Sequence, residues 1–287
     1  MNATTIAPAE TTSVSVAPAT GTGSVTSWLR NVAVLTRRNL IHVRREPAQL
    51  SDATIQPILF TVLFVYIFGS AMSIAGGSYK DFAIGGLVTM NLTTASMGTA
   101  VGLSSDLSTG VINRFRTLPM SRSAVLVGRT LSDLLASVLC ASIVLLTGLV
   151  IGWRPDRGIG GVLAGLAVAV LFAWAVSWLM ACVGLLVRDP ESAQGIGLLI
   201  LFPAAFVSSS LVPTGGMPRV LRAIADWNPV SAVAGACRDL FGNPNPAAAS
   251  GVWPAEHPVL MTVISSAVMI AIAVPVSNAL LRRRTTD

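Results

Sequence analysis

"NRFRTLPMSRSAVLVGRTLSDLLASVLCASIVLLTGLVIG", residues 113–152, runs from a segment holding four arginines straight into an apolar stretch. The second half, from Leu131, carries a single charge, Asp133, and has the ~20 residues that cross a hydrocarbon layer as a helix. Outward from it lie five more apolar segments, at 54–74, 82–104, 160–187, 195–212 and 259–281. The segment 82–104 is the most polar, with Thr89, Asn91, Thr93, Thr94, Ser96 and Thr99 inside it. Six transmembrane helices and an all-α, polytopic membrane fold are the expectation.

Composition agrees. Of 287 residues 53% are hydrophobic and 11% charged, with mean hydropathy +0.71. Soluble domains carry roughly 25% charged residues. The net charge of +6 does not point to nucleic acid, because no polar domain gathers it. Cys140, Cys182 and Cys237 are odd in number and unpaired in spacing, which argues against a disulfide framework or metal site.

The flanks divide the chain further. Residues 1–24 are rich in Ala, Thr, Ser, Pro and Gly and read as a disordered tail, lacking the basic start and apolar run of a signal peptide. Over 25–47, Trp28, Val32, Leu35 and Val43 share one helical face, and Arg30, Arg37, Arg38, Arg44 and Arg45 lie opposite. This predicts an amphipathic interfacial helix stopped by Pro47. With the N-terminus in the cytoplasm, thirteen cations fall inside (those five, Arg114, Arg116, Arg122, Arg129, Arg188 and Arg282–Arg284) and six outside (Lys80, Arg154, Arg157, Arg219, Arg222, Arg238). The positive-inside rule therefore expects both termini in the cytoplasm.

Enzymatic machinery is hard to find. The only lysine, Lys80, follows a tyrosine, so no P-loop is present. Two histidines, His42 and His257, leave no material for an HExxH site or a Ser-His-Asp triad. Glycine pairs at GxxxG spacing (Gly98/Gly102, Gly148/Gly152, Gly161/Gly165) permit close helix approach.

The run "GLSSDLSTGVINRFRTLPMSRSAVLVGRTLSD" resembles the first cytoplasmic loop of ABC-2-type exporter permeases, in particular the daunorubicin/doxorubicin-resistance permeases. "REPAQLSDATIQPILFTVLFVYIFG", "LLVRDPESAQ" and "MPRVLRAIADWNPVSAVAGACRDLFGN" resemble further parts of that family in order, over roughly 35–281. The resemblance implies a six-helix permease, 48–287, pairing with a second permease (a copy or a paralogue) and with two ABC ATPase subunits. ATP and magnesium would be bound by those ATPases, no cofactor belonging to this chain. It implies a coupling loop at 105–130, in which Asp106, Gly110, Arg114, Phe115, Arg116, Thr117, Leu118 and Pro119 match the family pattern, and a lesser contact at Arg188. It implies an external re-entrant lid at 212–258, broken at Asn228-Pro229. The residues themselves fit docking: arginines supply planar charge for carboxylates, with Phe115 and Leu118 as apolar anchors.

For a substrate path the sequence offers Asn91, Thr94 and Gly98 on one helical face, with Phe202, Phe206 and Ser209 in the fifth segment. Polar groups at that depth avoid lipid. Hydrogen bonding between helices is the competing explanation. Asp133, one turn after Arg129, is expected to form an i,i+4 pair rather than a proton relay. The expected function is export of an amphipathic or hydrophobic compound, such as an antibiotic or a lipid, across a bacterial cytoplasmic membrane. A polysaccharide or glycolipid exporter, an ion-coupled secondary transporter and a membrane-bound enzyme are the alternatives.

Overall fold

The computed structural model describes residues 47–72, 74, 77–109 and 122–284. The tail at 1–24, the interfacial helix at 25–47 apart from its last residue, and Gly110, Arg114, Phe115, Arg116, Thr117, Leu118 and Pro119 lie outside the described residues.

Among the described residues the chain is all-helical, apart from one isolated bridge between Ile74 and Gly77. The elements are α1 (Pro47–Ala71), α2 (Tyr79–Ala95), α3 (Met97–Ser108), α4 (Arg122–Ile151), α5 (Gly158–Leu186), α6 (Pro190–Phe206), α7 (Arg219–Trp227), α8 (Pro229–Phe241), α9 (Trp253–Glu256) and α10 (Pro258–Arg284). Short 3₁₀ turns at Thr214–Gly216 and Pro246–Ser250 link the later helices.

Four helices, α1, α4, α5 and α10, contain stretches long and apolar enough to cross a membrane. The other two expected segments differ from a single long helix. The stretch 82–104 is broken at Ser96, and 195–212 is helical only as far as Phe206.

The break has a local cause. Hydroxyls and an amide bend back on carbonyls three or four residues earlier: Thr89 to Gly85, Asn91 to Leu87, Thr93 to Thr89, Thr94 to Met90 and Ser96 to Leu92. Such back-bonding competes with the ladder and bends helices. Ser96 also donates to the carbonyl of Ala173 on α5, at 3.1 Å, which fixes the bend to its neighbour. The polar groups of this segment are thus satisfied mostly within their own helix rather than between helices.

The centre of the bundle is built from small residues. Helix α8, "PVSAVAGACRDLF", is buried along Val230–Arg238 and packs against α2, α5 and α10. Its seat depends on glycine. A Cβ on Gly161 would lie 2.3 Å from the carbonyl oxygen of Leu240, and one on Gly165 would lie 2.4 Å from the Phe241 ring. That GxxxG pair serves a contact inside the chain.

Large apolar residues point outward instead: Tyr66 on α1, Val150 on α4, Ile159 on α5 and Leu199 on α6 are all more than 60% exposed. So much apolar surface suits hydrocarbon rather than water. A second core cluster, Leu103, Leu126, Trp178, Leu185 and Leu281, closes one end of the bundle. Trp153, Phe241, Tyr79 and Phe82 pack at the other.

Candidate functional site

The expected path residues divide by exposure. Asn91 and Thr94 are half-buried and Gly98 is exposed, so one strip along α2 and α3 is open to whatever adjoins the chain. A Cβ on Gly98 would meet nothing within 4 Å. On α6, Phe202 and Phe206 stack at 4.2 Å between centroids and are 51% and 44% exposed. The two elements are neighbours, because Met97 sits against Gly197. Asn91 and Thr94 bring amide and hydroxyl groups to the one exposed surface, and Phe202 and Phe206 bring aromatic rings to the other. Ser209 is part of neither. It is 97% buried, its Oγ has no partner, and its N–H donates to Ser231.

At the end closed by the second cluster, Asp106 is half-buried near the close of α3 and Arg188 is exposed on the turn into α6. That turn is capped: Ser192 donates its backbone N–H and its hydroxyl to Asp189, at 2.7 and 2.9 Å. These bonds hold the Asp189 carboxyl below its ordinary value.

The Asp133 carboxylate joins two partners rather than one. Arg129 Nε lies 3.3 Å from Oδ2, Thr99 donates to the same oxygen at 2.5 Å, and Arg129 Nη2 donates to the carbonyl of Gly98 at 2.9 Å. The i,i+4 pair therefore also staples α3 to α4.

At the opposite end Asn228 ends α7 and caps α8, accepting from Val230 N–H. Its amide donates to the carbonyls of Ala204 and Val207, both at 2.7 Å. Helix α7 presents its apolar side outward, with Val220, Ile224 and Trp227 each more than half exposed and Asp226 buried beneath. Burial raises the Asp239 carboxyl, an effect opposed by the Asn245 amide that donates to it at 2.9 Å.

Sequence reasoning missed Arg238, which it counted as an external loop cation. It is 0% exposed. The signal was present: Arg238 ends the small-residue run "SAVAGAC", and a helix without a polar face is a buried helix.

Residues 30–241 match the ABC-2 type transporter family. This chain belongs to that family. It is 31% identical over 247 residues to a daunorubicin resistance ABC transporter permease of Streptomyces coeruleorubidus, covering 86% of this chain and 84% of that one. It is 26% identical over 224 residues to a protein named as a doxorubicin resistance ABC transporter permease in Mycobacterium tuberculosis, covering 77% and 81%. The chain is thus an ABC-2 permease of a drug-resistance transporter family and a multi-pass membrane protein; its relatives are permeases that work with an ATP-binding subunit.

Proposed function

We propose that this chain is the permease half of an exporter of the bacterial cytoplasmic membrane, moving amphipathic or hydrophobic compounds such as an antibiotic or lipid outward. What supports it is the family match together with the half-open strip of Asn91, Thr94 and Gly98 and the exposed, stacked Phe202 and Phe206 on the neighbouring helix α6. Six crossings fit this proposal. Helices α2 and α3 cover 79–108, about 45 Å at 1.5 Å per residue, and the 17 residues of α6 about 26 Å. Both termini are cytoplasmic, and α7 to α9 form the outer lid.

Two such permeases, as copies or paralogues, enclose the cargo between their open strips. Two ATPase subunits bind ATP and magnesium and do the hydrolysis, this chain being no enzyme. They dock at the coupling loop through Arg114, Phe115, Arg116 and Leu118, with Asp106, Gly110, Thr117, Pro119 and Arg188 around them. ATPase closure draws the coupling loops together and turns the cavity outward.

Co-expression with an ABC ATPase subunit from the same organism and reconstitution into vesicles tests this. ATP-dependent movement of a fluorescent amphipathic dye is expected, together with co-purification of the ATPase. Replacing Arg114 and Arg116 by Glu sets like charges against carboxylates of the partner, a cost of several kcal/mol. Co-purification should then be lost. Dye movement without the ATPase, or none with it, would overturn the proposal.

A further inference from the structure

Arg238 is a fully buried guanidinium with no ion-pair partner among the described residues. Its Nε donates to the carbonyl of Phe82 at 2.9 Å, and its Nη2 to those of Ser209 and Ser210 at 2.9 and 2.6 Å. The guanidinium carbon stands 3.6 Å over the Phe82 ring, while Nη1 is buried with no partner. The neighbouring carboxylate, Asp239, is engaged by Asn245 instead. The three carbonyls belong to separate pieces of chain, the first turn of α2 and the turn that follows α6. Gly86 makes their approach possible: a Cβ there would lie 1.6 Å from the oxygen of Ser210.

A cation in a dry site without a counter-ion is costly, and carbonyls repay only part of that cost. An apolar side chain of the same length would avoid the buried charge but would leave the carbonyls of Ser209 and Ser210 without this donor. A guanidinium differs from such a side chain in its response to water. Water that reaches it satisfies Nη1, takes over from the three carbonyls and solvates the charge, so the cation favours a hydrated arrangement over a dry one.

We propose that Arg238 is a positioning residue for the transport step, a clamp that holds the start of α2 and the 207–212 turn on α8 while the outer end is dry and releases them once water enters. This rests on the outward direction proposed above. Closure and opening are then separated by little free energy, which lets the distant ATPases drive the change.

The test uses Arg238→Met and Arg238→Lys in a chain whose three cysteines are replaced by alanine, with Ser209→Cys as reporter. First, the thermal midpoint of the permease alone is measured. Arg238→Met should melt within about 5 °C of the parent, since removing the buried charge offsets the donors lost to Ser209 and Ser210; a larger fall would make Arg238 a structural strut and overturn the clamp. Second, in the vesicle complex, ATP should speed labelling of the cysteine at 209 by an impermeant maleimide about tenfold in the parent. Arg238→Met should abolish that gain and the transport with it, whereas Arg238→Lys, which keeps the charge, should retain part of both. Transport by Arg238→Met at the parent's rate would also overturn the clamp. A parent complex that moves no dye sinks the functional proposal instead, and the clamp is then judged on the melting comparison.

Discussion

At the scale of single residues, one acid and one base, Asp133 and Arg238, play opposite parts. Asp133 looks like a charge in the membrane, for which insertion scales give a cost of about 2.5–3.5 kcal/mol. The structure surrounds it with Arg129 and Thr99 and leaves it only 16% exposed, so its charge is compensated locally. Arg238 looks like an ordinary loop cation and proves to be buried, with no ion-pair partner among the described residues. Position in a presumed loop misled in the second case, because a loop charge is by default a solvated one. For Asp133, the compensated pair predicts that Asp133→Asn keeps transport, since the amide oxygen still accepts from Thr99 and Arg129. Asp133→Leu should cost about 2 kcal/mol, the worth of hydrogen bonds to a charged group. Transport assays and melting curves on both variants check this. Loss of transport in the Asn variant with stability intact would restore the proton relay.

At the scale of elements, long apolar runs were legible and interruptions were not. The boundaries of α5 and α10 fall within a few residues of those expected from hydropathy, since a run of Leu, Val, Ala and Ile has no alternative to helix in hydrocarbon. The Thr, Asn and Ser residues that weaken the helix at Ser96 were visible, but the contact that fixes the break, with Ala173, lies 77 residues away and was hidden. GxxxG spacing likewise marks close approach without naming the partner. The structure distinguishes the pairs: Gly161 and Gly165 face the backbone and ring of α8, whereas Gly98 faces open space. Gly161→Val should therefore overpack the seat of α8 and cost about 1–3 kcal/mol. Gly98→Ala should stay within about 0.5 kcal/mol of the parent. Thermal melts of the detergent-solubilised permease separate the two. Equal sensitivity would mean that Gly98 meets a partner that packs as tightly as α8.

At the scale of the whole molecule, both ends expose cations, so the proposed orientation rests on how many each end carries. At the end carrying α7 to α9, Arg222 donates to the carbonyls of Thr214 and Gly215, Arg154 to those of Leu149 and Trp153, and Arg238 to three more. Of these only Arg238 is buried; Arg154 and Arg222 are exposed, as are Arg157 and Arg219. At the end closed by Leu103, Leu185 and Leu281, Arg188, Arg282 and Arg283 are exposed. Anionic lipid headgroups and the insertion machinery respond to positive charge near the membrane ends of short loops. The proposal that this second end is cytoplasmic therefore rests on the number of cations, thirteen against six along the sequence. In right-side-out vesicles of a cysteine-free variant, cysteines at Lys80 and Ser250 should react with an impermeant maleimide added outside. Cysteines at Arg188 and Arg283 should react only after the membrane is permeabilised. Reaction at position 188 from outside would invert the molecule, put the clamp at Arg238 on the cytoplasmic side, and leave the coupling loop facing away from any ATPase.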